Sequence, residues 1–308
     1  ALIIGMVITS LLILFGAPAL YRIPSGAYRF DPVVEVVPPS GPAFAADRHW
    51  YLGSVRNRDY APGRYAATLV MDLTEEQAAS PEQRFLVVPY ISGTALAVFL
   101  NGRFLGAQGD TAAGNSNIWH SAKRFSLPPG ILARRNTLVI ELQGPYEAGL
   151  PMEPYILDGR SHAAYLLLLE FFSDKVVWFL SGAIFIMGCA LILIGSASLP
   201  RIDSRTLIGA AALVTAAFLA DFMTFEVLPL PLVEFKRLMV IARHLAALLF
   251  PLGYLALLER KADLFARLFA VVQGLAVLAL LFPRDMIALK NLYTYTFLTM
   301  GQIGRAHV

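Results

Sequence analysis

From Val176 to Pro200 the chain reads VVWFLSGAIFIMGCALILIGSASLP, with no charged residue between Lys175 and Arg201. At a rise of ~1.5 Å per residue, such a helix is long enough to cross a hydrocarbon core of roughly 30 Å. This stretch predicts a membrane span and divides the chain in two. The residues before it have the texture of water-soluble β structure, and the residues after it form a run of apolar segments joined by short charged turns. Composition agrees: the 308 residues are 57% hydrophobic and 15% charged, with a mean hydropathy of +0.61, too apolar for a soluble globular protein.

The net charge of +3 comes from scattered Arg and Lys, without the basic run that neutralises phosphates, so nucleic acid is not an expected partner. The single cysteine, Cys189, lies inside the predicted span, so the soluble part has no disulfide, thiol nucleophile or thiolate metal site. The five histidines, His49, His120, His162, His244 and His307, show no metal-ligand spacing, and no Walker loop, GxSxG or dinucleotide fingerprint occurs. No catalytic residue, metal site or cofactor is therefore predicted.

In chain order, residues 1–20 predict a signal peptide or signal-anchor helix: Ala1 to Ala17 is uncharged, and Ala17-Pro18-Ala19 has the small-residue pattern of a cleavage site. Residues 21–44 predict a linker that wraps as loops and short edge strands, because Pro24, Pro32, Pro38, Pro39 and Pro42 block any long helix. Residues 45–160 predict an antiparallel sandwich, with strands at YAATLVMDL (Tyr65 to Leu73), RFLVVPYI (Arg84 to Ile91), TALAVFL (Thr94 to Leu100), RFLGAQG (Arg103 to Gly109), KRFSLP (Lys123 to Pro128) and NTLVIEL (Asn136 to Leu142). Asn101-Gly102, between two apolar runs, predicts a two-residue type I′ hairpin. Residues 161–175 read as a juxtamembrane connector that starts the helix above the bilayer, or as an interfacial collar with Tyr165 and Trp178 at headgroup depth. Residues 176–302 predict about five transmembrane helices, the last incomplete, and the terminal IGRAHV, 303–308, matches what a sequencing adapter encodes. With the sandwich outside, the first and third inter-span loops hold five Lys or Arg against four in the outer loops, so orientation rests on export of the sandwich.

The succession AVFLNGRFLGAQGD, then NIWHSAKRFSLPPGILARRNTLVIEL, resembles the galactose-binding-type jelly roll, with Trp119, Phe125, Leu127, Pro128, Leu132, Asn136, Leu138 and Ile140 at the matching positions. Followed directly by a multi-span region, this order is similar to the bacterial seven-transmembrane receptors with diverse intracellular signalling modules. The resemblance implies a multi-domain membrane protein, an extracytoplasmic all-β jelly-roll sandwich followed by an α-helical transmembrane bundle. It implies an inner (plasma) membrane location with residues 21–165 outside, and a sensory receptor fragment whose output module, a diguanylate cyclase or histidine kinase, is missing. The expected partners are the lipid bilayer and an extracytoplasmic small molecule or carbohydrate, and pairing into a homodimer. The alternative is a transporter or membrane-embedded enzyme with an accessory sandwich.

Two residue groups stand out as candidate sites. Trp50, Tyr51, Arg56 and Arg58, with Trp119 and His120, supply stacking rings and hydrogen-bonding edges for a sugar or small polar ligand; the two tryptophans as core plugs are the competing expectation. Asp221, Arg243 and His244 form an intramembrane polar group, in which an Asp221 to Arg243 contact is predicted because ionised groups in lipid need a partner.

Overall fold

A computed structural model describes residues 22–55, 60–196 and 203–305, with side chains to residue 296. The predicted signal segment 1–20, Arg56 and Arg58 lie outside the described residues. The chain divides into two compact units: residues up to Val176 together with Thr224–Val227, and the helices from Val177 on.

The first unit is a β-sandwich. Its twelve strands are β1 (Tyr28–Arg29), β2 (Val33–Val37), β3 (Phe44–Asp47), β4 (Tyr51–Gly53), β5 (Gly63–Asp72), β6 (Arg84–Val88), β7 (Ala95–Leu100), β8 (Arg103–Gln108), β9 (Lys123–Ser126), β10 (Arg135–Gly144), β11 (Glu147–Gly149) and β12 (Tyr155–Asp158), with a short helix α1 (Glu75–Ala79) after β5. A six-stranded sheet runs β3-β2-β5-β10-β7-β8, a four-stranded sheet β1-β12-β6-β9, and β4 pairs with β11. All pairings are antiparallel.

Period-2 alternation sets the core. On β5, Tyr65, Ala67, Leu69 and Met71 point inward, and on β10 Leu138, Ile140 and Leu142 do the same, with Leu138 opposite Leu69 and Ile140 opposite Ala67. Trp50, Leu86, Val98 and Phe125 complete this core. The β7–β8 turn is the predicted hairpin: Asn101 has φ 52° and Gly102 φ 76°, both in the left-handed region that a type I′ turn needs. Asn136, fully buried, accepts from Ala133 N at 2.9 Å and from the Asn101 amide at 2.9 Å, tying that turn to β10. Residues 28–47 supply the short strands β1 to β3. Pro32, Pro38, Pro39 and Pro42 fall outside those strands, which leaves Val34 and Val36 free to alternate into the core.

After β12 the chain enters a helix from Ala163 to Ser196, composed of α2 (Ala163–Glu170), a π-helical turn (Phe171–Lys175) and α3 (Val176–Ser196). The remaining helices are α4 (Ser204–Leu219), with a 3-10 turn at Ala220–Phe222, α5 (Leu232–Leu257), α6 (Leu264–Leu280) and α7 (Met286–Arg305). Among the described residues, three helices are long and apolar enough to cross a membrane: Ala163–Ser196, Ser204–Phe222 and Leu232–Leu257; Leu264–Leu280 is apolar but shorter.

Within this second unit, small residues let backbones approach. The buried positions of α3 are Ser181, Gly188 and Gly195, seven apart and hence one stripe, two turns per step. They face α4: Ser181 donates to the Ala216 carbonyl at 3.0 Å, a Cβ on Gly188 would meet the Gly209 carbonyl oxygen at 2.9 Å, and one on Gly195 would meet Thr206. The helix α5 starts at Leu232, and its charged first turns are accommodated: Lys236 is buried and paired.

Candidate functional site

One concavity of the sandwich unit is a polar cavity of about 280 Å³. Its walls come from Gln108 at the end of β8, Ser121 to Arg124 leading into β9, Glu170 and the π-turn residues Ser173, Asp174 and Lys175, and Thr224 and Glu226. A π-turn places one extra residue in a helical turn, which swings side chains off the regular helix face and is often found at functional sites. Here it puts Ser173 and Asp174, in an otherwise apolar run, on the cavity wall.

Lys123 is the unusual residue. Alternation along β9 puts it on the same inward face as Phe125, and it is fully buried. Its ammonium donates to the Ile118 carbonyl at 2.5 Å and to the Ser121 carbonyl. An ammonium has three hydrogens, so one remains for the cavity side. Burial pushes the Lys123 pKa down to about 7, and the nearby Glu226 carboxylate pulls in the opposite direction. The amine therefore changes charge near neutrality, a property no other described lysine of the sandwich unit shares by burial.

Glu226 is held by the Gly109 N–H at 2.5 Å, and its neighbour Phe225 pairs with Asn117 through two backbone hydrogen bonds of 2.9 Å. Around the rim, Arg124 pairs with Glu170 at 3.6 Å and Lys175 with Asp174 at 2.6 Å. These rim charges are largely exposed apart from Asp174, so their pairing is readily exchanged for a ligand's. The cavity thus offers three cations and three carboxylates, suited to a small molecule carrying both charge types or many hydroxyls.

The predicted aromatic clusters lie elsewhere. Trp50 is buried in the sandwich core, its ring 6.2 Å from that of Tyr65, so its face is closed to a ligand. Tyr51 is exposed on β4 and donates to Glu147 at 3.0 Å. Trp119 is half-buried and edge-on to Tyr90 at 5.6 Å and to His120 at 5.3 Å; His120 is buried. None of the four lines the polar cavity. Alternation of Lys with Phe in KRFS was the signal available for Lys123; Glu226 carries none, since its position depends on a fold contact with Gly109.

In the helical unit, Asp221 pairs with Lys236, whose Nζ lies 2.6 Å from its carboxylate. Asp221 sits in the 3-10 turn after α4, and the short connection brings it level with the second turn of α5. Arg243 is seven residues further on, ~10 Å along the axis. There its guanidinium lies over the Tyr293 ring, 5.6 Å from the centroid. His244 is fully buried between Gln273 of α6 and Thr296 of α7. Among the described residues no three His, Cys, Asp or Glu side chains gather to hold a metal ion.

No protein-family model and no curated protein matches the sequence. Among solved structures, the chain is similar to Bacteroides uniformis beta-glucuronidase 2 at 12% identity over 42% of this chain and 17% of that one, with a TM-score of 0.33. A beta-galacturonidase from Eisenbergiella tayi bound to glycerol gives 10% identity over 45% and 26%, TM-score 0.32. A beta-D-mannosidase from Dictyoglomus thermophilum gives 15% identity over 39% and 16%, TM-score 0.29. The match spans less than a third of each of these enzymes, and at these scores the likeness bears on neither fold nor activity here.

Proposed function

We propose that this chain is the sensing and membrane-embedded part of a bacterial receptor. In this reading the sandwich is a jelly roll on the outer side of the inner membrane, it binds a small polar molecule or carbohydrate, and the helices relay binding to a cytoplasmic output module. The observation that supports it most is the helix Ala163–Ser196: its π-turn lines the polar cavity and its continuation is apolar for 21 residues. A ligand engaging Asp174 or Lys175 touches the same helix that enters the lipid. It shifts a population only through unequal affinity for two helix arrangements, and a π-turn that can revert to α geometry supplies two such arrangements.

Hydrogen exchange on the full chain in lipid nanodiscs, wild type against Lys123→Met, tests the relay. The expected result is altered protection at Phe171–Lys175 that continues into Val177–Ser196. Changes that stop at the cavity wall contradict it. The second reading, a transporter or membrane-embedded enzyme with an accessory sandwich, is favoured by one observation, the buried polar network around His244.

A further inference from the structure

Between the last three helices lies a cavity of about 210 Å³, separate from the polar cavity of the sandwich. Its apolar wall is Leu275, Ala276 and Ala279, and its polar groups are His244, Gln273 and Thr296, one from each of α5, α6 and α7. His244 Nδ1 is 2.7 Å from Gln273 Oε1, and Nε2 is 3.3 Å from Thr296 Oγ1. Gln273 is fully buried, and its amide nitrogen has no hydrogen-bond partner among the described residues. A buried amide NH₂ left without an acceptor costs about 1–3 kcal/mol, so this pocket floor favours an occupant that accepts.

We propose that this cavity binds a small, otherwise apolar molecule through a carbonyl oxygen that accepts from Gln273. The charged neighbours are Arg243 on α5, lying over Tyr293 of α7, with Lys290 against the same ring, and the Lys236–Asp221 pair nearer the start of α5. The cavity wall on α6 contributes no charged side chain.

The test uses the full chain in lipid nanodiscs, ligand-observed saturation-transfer NMR and two probes of one shape, cyclohexanone and methylenecyclohexane, with empty nanodiscs subtracted. The expected result is saturable cyclohexanone binding that exceeds that of methylenecyclohexane and is lost in Gln273→Leu. Ala276→Leu fills the cavity while leaving the three polar side chains in place, and should abolish binding too; it decides the matter if Gln273→Leu does not fold. No saturable signal, equal binding of the two probes, or binding that survives Ala276→Leu overturns the proposal.

Discussion

Two glycines on one helix should respond oppositely to the same change. Gly182 and Gly188 both lie inside α3, so replacing either by Ala gains the same helix propensity, up to about 1 kcal/mol. A Cβ on Gly182 meets nothing within 4 Å. On Gly188 it lies 2.9 Å from the Gly209 carbonyl oxygen and 2.9 Å from a Leu213 methyl, against 3.4 Å or more for an ordinary contact. The leucine can rotate; the carbonyl belongs to the α4 backbone and cannot move alone. Relief therefore needs α3 and α4 to part by about half an ångström at the middle of a stripe held on one side by the Ser181–Ala216 hydrogen bond and on the other by the Gly195–Thr206 contact. Overpacking of this kind costs about 1–3 kcal/mol. Because propensity is common to both variants, their difference is the packing cost itself. Reversible unfolding in mixed detergent and dodecyl sulfate micelles should rank Gly182→Ala at or above wild type and Gly188→Ala about 1–3 kcal/mol below Gly182→Ala. Equal stabilities for the two variants would refute the close α3–α4 interface.

Lys123 gives a pH signature. Its proton is held up to about 10.5 in the unfolded chain but only to about 7 in the sandwich, so between these values the unfolded state binds more protons and stability rises with pH, by at most about 1.4 kcal/mol per pH unit. Chemical unfolding followed by the fluorescence of the buried Trp50 should show that slope in wild type and a flatter profile in Lys123→Met; identical slopes would exclude Lys123 as its source. For the helical unit, Asp221→Lys and Lys236→Asp should each lower the melting temperature, and the double exchange should recover most of the loss. A double variant as damaged as the singles would show that the pair is not what matters there.

How much was legible in the sequence depended on the range of the forces involved. Strands such as β5 and β10 were readable because alternation of apolar residues is local, and the Asn101-Gly102 hairpin because only those residue types sit easily at positive φ. The three long apolar helices were readable because hydrocarbon thickness sets their length. Of β1 to β3 only their shortness was legible, since prolines spaced through 24–42 mask where each strand begins and ends. The polar cavity was the least legible. Lys123 was visible only through its phase with Phe125, the π-turn has no composition signal beyond polar residues in FFSDK, and Glu226 reaches Gly109 across 117 positions of chain. The Asp221–Lys236 pair depends on where α5 begins, which the charged residues before Leu238 conceal in the sequence.

For a receptor of this design, the sandwich must face the outside of the cell while the helices lie in the bilayer. Glu76, exposed on α1, can be replaced by Cys, with Cys189 within α3 as the only native thiol. Labelling of intact cells with a membrane-impermeant maleimide should modify Glu76→Cys fully and wild type not at all. Labelling of Glu76→Cys only after the inner membrane is opened would contradict an exported sandwich.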